Sequence, residues 1–272
     1  MFSRRAAFIA ASVTKIKLED KLSLVQKYAL FVQKVLLKIG IVVKRSSFYS
    51  REDLRLLQFL KIHEVDTVLD VGANRGEYAM TLIRGGFKGH IYSFEALPEM
   101  HSELIKRAAM APGRWIVAPQ CAIAAEKGMA KFNIMNAISA SSLFMPTDRA
   151  DDMRSIFNIR ETIEVPTDTL AACCKSLGIL SQRIFLKLDI QGGEESALRG
   201  AEALLPQIVG IVAEMPLQIY YEGQATARQL DGWITSRGFE LWDIQPAWRH
   251  PTTGRLNHID AMYVKAPAVD RS

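Results

Sequence analysis

The stretch Thr67-Val68-Leu69-Asp70-Val71-Gly72-Ala73-Asn74-Arg75-Gly76-Glu77-Tyr78 decides how the rest of the chain is read. Val68, Leu69 and Val71 form the short apolar run that a buried parallel strand needs. Gly72 and Gly76 then bracket a tight turn, and Glu77 to Ile83 spaces its apolar residues like a helix. A strand, a glycine turn and a helix in this order bring backbone close to a ligand, because glycine has no Cβ and tolerates positive φ. The free N–H groups of the new helix attract negative charge. The ligand is therefore expected at the carboxyl end of this strand.

A dinucleotide fingerprint reads G-x-G-x-x-G, whereas Gly72 and Gly76 stand four apart with Asn74 between them, so the pyrophosphate cradle is incomplete. Asp70, two residues before the first glycine, points elsewhere. An acid there can anchor the turn and meet a cationic amino-acid group, which S-adenosylmethionine has and a pyrophosphate lacks. The next strand ends Ile91-Tyr92-Ser93-Phe94-Glu95. An acid about 20 residues beyond the glycine turn can accept hydrogen bonds from ribose hydroxyls, a feature that NAD-binding folds share. Asp70, Gly72, Asn74, Gly76 and Glu95 are thus the expected cofactor residues.

Three blocks in order, Val68 to Gly76, then Phe94-Glu95, then Lys187-Leu188-Asp189-Ile190-Gln191-Gly192-Gly193-Glu194 followed by Leu198-Arg199-Gly200-Ala201, resemble the FkbM family of S-adenosylmethionine-dependent methyltransferases. The likeness runs over roughly residues 65 to 265. Ala96 departs from the family's usual proline after the acid. The resemblance implies a class I methyltransferase fold, Rossmann-like, with a mostly parallel seven-stranded sheet and helices on both faces. It also implies S-adenosyl-L-methionine as cofactor and, for most members, methyl transfer to a hydroxyl oxygen.

At 272 residues, with 49% hydrophobic and 23% charged, the chain is an ordinary globular mix, and one α/β domain would use nearly all of it. The expected division is a basic amphipathic helical extension over residues 1–50 and a catalytic domain over 51–272. The net charge of +5 is uneven: residues 1 to 50 hold ten Lys and Arg against Glu19 and Asp20, a balance of +8, which leaves −3 for the remainder. A mildly acidic catalytic domain argues against nucleic acid as substrate. Cys121, Cys173 and Cys174 make no disulfide framework and suit a reducing compartment, and the five scattered histidines give no reason to expect a metal.

Met1 to Leu18 reads as a frayed basic leader. The compartment is expected to be cytoplasmic, because S-adenosylmethionine is made and used in the cytosol. From Leu22 to Val43, Val25, Tyr28, Phe31, Val32, Val35, Leu36 and Ile39 recur at helical spacing among lysines. Residues 20–45 would pack on the catalytic domain or a second copy of the chain, or lie on an anionic membrane surface. Ser46 to Ser50 reads as a linker and Asp53 to Ile62 as a helix before the first strand. Strands and helices then alternate, as in a parallel sheet wrapped on both faces. Pro98 opens the helix to Ala109, and Trp115-Ile116-Val117 starts a third strand leading to Cys121-Ala122-Ile123. Gly128 to Asn133 reads as an antiparallel excursion. Ala137 to Arg160 has no clear period and reads either as a mobile surface loop or, by the resemblance, as holding the approach to the active site at Ser139 to Phe144. Asp168 is expected to cap the following helix.

Lys187 and Asp189 lie two apart in an apolar strand, so they project to one face at the end where the cofactor belongs. A charged pair there is costly unless paired or functional. Methyl transfer requires alignment of the acceptor, exclusion of water and removal of a proton. Asp189 is expected nearest the chemistry, Glu194 as base or orienter, and Lys187 as the cation that keeps Asp189 ionised. The alternative is a structural ion pair, with Glu194 supporting a helix start. Glu214 ends the fifth strand at the same edge. Tyr220, Tyr221, Trp242 and Trp248 can form an apolar face for a sugar or another small-molecule acceptor, and Phe239 to Ile244 with Asp260 to Val264 reads as a final hairpin. Two other readings stay open: a nucleotide-binding oxidoreductase, and a non-catalytic membrane-surface or scaffold protein.

Overall fold

A computed structural model describes residues 24–38 and 51–266. The chain divides into two units, Met1–Arg51 and Glu52–Ser272. In the first, helix α1 (Leu24–Lys38) covers part of the expected amphipathic helix, and Tyr28, Phe31 and Val35 on it are exposed. The leader Met1 to Leu18 and the linker Ser46 to Ser50 lie outside the described residues. No helix among the described residues is long and apolar enough to cross a membrane.

In the second unit, α2 (Glu52–Ile62) leads into β1 (Thr67–Val71), whose five residues are all buried. There follow α3 (Glu77–Arg84), β2 (His90–Phe94), α4 (Pro98–Met110) and β3 (Arg114–Val117). A smaller sheet comes next, made from β4 (Ala122–Ile123), β5 (Gly128–Met135) and, after the one-turn helix α5 (Arg154–Phe157), β6 (Ile159–Asp168). The main sheet resumes with α6 (Leu170–Ser176), β7 (Ile184–Leu188), α7 (Glu194–Gly200) and β8 (Ile208–Pro216). It closes with α8 (Ala227–Thr235), β9 (Phe239–Arg249) and β10 (Leu256–Lys265). Its seven strands run β3-β2-β1-β7-β8-β10-β9. The first five pair in parallel, and β10 is antiparallel to both β8 and β9.

Period-two alternation assigns each side chain of β1 to a layer. Leu69 and Val71 pack with Leu186, Leu198 and Leu230 beneath α6, α7 and α8, whereas Val68 packs with Phe59, Leu82, Leu104 and Phe185 beneath α2, α3 and α4. Helices therefore cover both faces, as expected. The strand order reverses between β2-β1 and β7, which opens a crevice at the carboxyl ends of those strands.

Two expectations are corrected, and the stretch that showed no period acquires short regular turns. Ala122-Ile123 does not extend the third strand but pairs with β6 in the smaller sheet, because Ala118 to Cys121 leads the chain off the main sheet. Residues 137–158 form two 3₁₀ turns and a helical turn, tied by Ala137 N–H to Ile156 O at 3.0 Å and Thr147 N–H to Tyr220 O at 2.8 Å. Short turns have no long period, so the pattern could not reveal them. The cap of α6 is Thr169, whose hydroxyl accepts Ala172 N–H at 3.1 Å, while Asp168 accepts Thr169 N–H at 2.8 Å. Replacing Thr169 by Ala is expected to cost about 1 kcal/mol, read by urea titration.

Candidate active site

The parallel register sets Asp70 of β1 beside Ser93 of β2 on one side and Lys187 of β7 on the other. Asp70 is 0% exposed. One carboxylate oxygen lies 3.1 Å from the Lys187 ammonium, and the other accepts the Ser93 hydroxyl at 3.1 Å. Trp115 Nε1 donates in turn to Ser93 Oγ at 2.9 Å. Lys187 Nζ also donates to Gly72 O at 2.9 Å and Val71 O at 3.3 Å. Burial works against its charge, but Asp70 and Asp189 outweigh that and raise its pKa to about 12. The ammonium is thus a fixed clamp on the carboxyl end of β1. Asp189, at 3.7 Å, is its more distant partner, so the expected pairing gives way to a closer one across the strands. Asp70 anchors the turn as expected but has no surface from which to meet a ligand.

Gly72 has φ of 76°, and a Cβ there would lie 1.9 Å from Asp189 O, so only glycine lets the turns after β1 and β7 meet. Asn74, also left-handed at φ 48°, donates its N–H to Glu95 Oε2 at 2.7 Å, and Glu95 Oε1 accepts Leu97 N–H at 2.9 Å. Burial raises the Glu95 pKa, opposed by those two amides. Gly76 lies off the cavity. Its φ is 82° and a Cβ would strike Trp115 and Leu104, so packing and helix entry account for it.

The turn after β7 has the same construction. Gln191 is left-handed at φ 54°, a conformation that costs a non-glycine residue about 1–3 kcal/mol and collects at functional sites. Its amide nitrogen donates to both Asp189 Oδ1 and Glu214 Oε2 at 2.9 Å, and its amide oxygen accepts Tyr221 Oη at 3.2 Å. Glu194 is 2% exposed and its two oxygens accept Ile190 N–H and Gly192 N–H at 3.0 Å. Burial and the Glu214 charge push its pKa up to about 7. Glu194 therefore braces the turn from below, and its carboxylate does not line the cavity. Glu214 Oε1 lies 3.0 Å from Nδ1 of His258.

These groups enclose a cavity of about 320 Å³ at the crevice, a volume suited to a small molecule. One end is lined by Leu97, Met100, Cys121 and Phe132, next to Glu95 and the Gly72 to Asn74 turn. The other is lined by Gln191, Glu214, His258, Phe157 and Trp248, and Asp189 lines the middle, its carbonyl against Gly72. Ser139 and Ser141 also line it. Of the sequence-derived residues, Gly72, Asn74, Glu95 and Asp189 face this space, whereas Asp70, Gly76, Lys187 and Glu194 support it from behind. Trp248 packs with Phe157 and Tyr220 at ring separations of 6.0 and 5.5 Å, but Trp242 packs elsewhere, 5.1 Å from Phe59. Gln191 and His258 escaped the sequence reading. His258 becomes visible only once β10 pairs with β8. Among the described residues, no group of three or more His, Cys, Asp and Glu is placed to hold a metal.

A five-strand parallel core with a final antiparallel pair, and a crevice cavity bounded by an acid after the second strand, defines the class I methyltransferase fold. The sequence profile of the methyltransferase FkbM domain matches residues 70–241, more than half of the chain, and the chain belongs to that family. Methyltransferase FkbM from Methylobacillus flagellatus KT is 16% identical with a TM-score of 0.44, over 73% of this chain and 44% of that one. The chain thus spans less than half the length of that protein. Magnesium protoporphyrin IX methyltransferase from Synechocystis PCC 6803, with bound SAM, is 12% identical with a TM-score of 0.45, over 79% of this chain and 78% of that one. TrmK of M. capricolum, in complex with S-adenosyl-homocysteine, is 8% identical with a TM-score of 0.40, over 80% and 71%. No curated protein matches the chain in sequence.

Proposed function

We propose that the chain moves a methyl group from S-adenosylmethionine to a hydroxyl oxygen of a saccharide or another small molecule. The observation that carries this reading is a single cavity with a carboxylate-braced turn at one end and a paired carboxylate and imidazole at the other. The residues present fit the donor. Glu95 keeps lone pairs free for ribose hydroxyls after accepting its two amides, and Leu97, Met100 and Phe132 offer an apolar slot for a base. Asp189 and Glu214 supply negative charge toward a sulfonium and an ammonium. When bound, the donor supplies an electrophilic methyl group. The chain's own part is to align the acceptor oxygen, keep water out and receive a proton. Phe157 and Trp248 give the acceptor an apolar wall on which a sugar ring can stack.

Calorimetric titration tests the donor end. Wild-type chain is expected to bind S-adenosylmethionine and S-adenosylhomocysteine. Glu95→Ala is expected to weaken both by about 10–100-fold, since it removes charged hydrogen bonds and strands two buried amides. Unchanged affinity in the variant would remove Glu95 from the donor site. Binding of NAD in place of either compound would favour the oxidoreductase reading.

A further inference from the structure

We propose that His258 is the catalytic residue that takes the proton from the acceptor hydroxyl, and that Glu214 is the positioning residue that aims it. The inference rests on the reading of this cavity as a methyl-transfer site. His258 is 3% exposed yet lines the cavity. Its place on β10, opposite Pro216 of β8, brings its ring against Glu214 two residues back along β8. With Nδ1–H donating to Glu214 Oε1 at 3.0 Å, Nε2 is left with its lone pair, and that buried nitrogen has no hydrogen-bond partner in the protein. A buried polar atom left unpaired costs about 1–3 kcal/mol, which folding alone gives no reason to keep. A substrate hydroxyl would supply the missing partner.

The rest of the surround fixes the imidazole. Glu214 is held through its other oxygen by Gln191, itself tied to Asp189 and to the Tyr221 hydroxyl. The rings of Tyr220 and Trp248 flank His258 at 5.9 and 5.5 Å. In the step, the acceptor O–H bond breaks and its proton passes to Nε2. The oxygen's electron pair forms the new C–O bond, and the pair of the broken C–S bond stays on sulfur as a neutral thioether. The imidazolium is offset by the Glu214 carboxylate and returns its proton to water once product leaves.

Charged groups reach the ring from three elements: Glu214 on β8, Asp189 after β7 and Glu194 on α7. Burial lowers the His258 pKa, but the Glu214 hydrogen bond and these three charges outweigh it, so the pKa lies above the ordinary 6.5. The base form therefore exists above that raised value, and turnover should fall as pH drops through it.

The test uses full-length chain labelled with ¹⁵N-histidine and saturated with S-adenosylhomocysteine, the His258 signals being those lost in His258→Gln. The neutral ring is expected as the Nδ1–H tautomer with a pKa above 6.5, and Glu214→Gln should move that titration to lower pH. An Nε2–H tautomer, or a titration unmoved in Glu214→Gln, would overturn the assignment. Turnover is read with methyl-tritiated donor on a mixture of free hexoses and methyl hexosides. His258→Gln is expected to lose about 10²–10⁴-fold in rate at unchanged donor affinity, and Glu214→Gln to shift the acid limb downward. Wild-type rates in His258→Gln would also overturn it. Failure of the wild-type chain to bind the donor would sink the methyl-transfer reading instead, a result distinct from either of these.

Discussion

Gly72→Ala is expected to abolish measurable S-adenosylhomocysteine binding and to lower the unfolding free energy by more than the backbone penalty alone. At φ of 76°, any residue with a Cβ pays about 1–3 kcal/mol. Here the added carbon would also stand 1.9 Å from the Asp189 carbonyl oxygen and 2.9 Å from Ile190 Cγ2. The first of these is backbone and cannot rotate aside, so the turns after β1 and β7 must part. Those turns carry Asn74 and Gln191, and hence the contacts of Glu95 and Glu214. Gly86→Ala is the control: its φ is 89°, but a Cβ there meets nothing within 4 Å. Urea titration of the two variants isolates the cost of collision, and calorimetry reads the ligand. Equal stability losses in the two would show that the close approach of the turns carries no weight.

The second large effect is at Lys187. Lys187→Met removes the cation beside a carboxylate with no exposure to water, leaving Asp70 only the Ser93 hydroxyl. Truncating one member of a buried pair typically costs about 3–5 kcal/mol, because the other charge stays buried. The double variant Asp70→Asn, Lys187→Met should regain much of that loss. The pH dependence carries the same signature. The folded pKa of Lys187 is raised from 10.5 to about 12, so its contribution is complete below 10.5 and is lost as pH rises through about 12. Wild-type stability should therefore fall across that window, and the fall should flatten in Lys187→Met. Urea midpoints from about pH 9 upward, starting below the ordinary lysine value, check this, and parallel curves would reject the clamp.

The same residue marks where sequence reading stops. Spacing alone puts Lys187 and Asp189 on one face, and the structure keeps both at the carboxyl end of β7. What spacing cannot carry is register between strands remote in sequence, and register is what sets Asp70 directly beside Lys187. The strand, glycine turn and helix at Thr67 to Tyr78 were legible because the period and the glycines are local signals. Glu95 was legible because its distance from the turn is fixed by one strand-helix-strand unit. His258 was not, since a lone histidine in an edge hairpin resembles any other until β10 lies against β8. Gln191 was hidden for a different reason: no residue preference announces its left-handed backbone, and its partners Glu214 and Tyr221 are remote in sequence. Glu194 was visible as a helix-start acid, and the choice between bracing and catalysis turned on the two amides that it accepts.

The cavity takes its walls from two sheets. The turns that meet at Gly72 belong to the long parallel array, while Phe132 and Phe157 come from the small sheet and the winding passage inserted before it closes. The proposed donor slot, through Phe132 beside Leu97 and Met100, and the proposed acceptor wall, through Phe157 beside Trp248, thus each draw on the insert and on the main fold alike. Any change in how the insert seats against the parallel array would therefore reach both ends of the cavity at once.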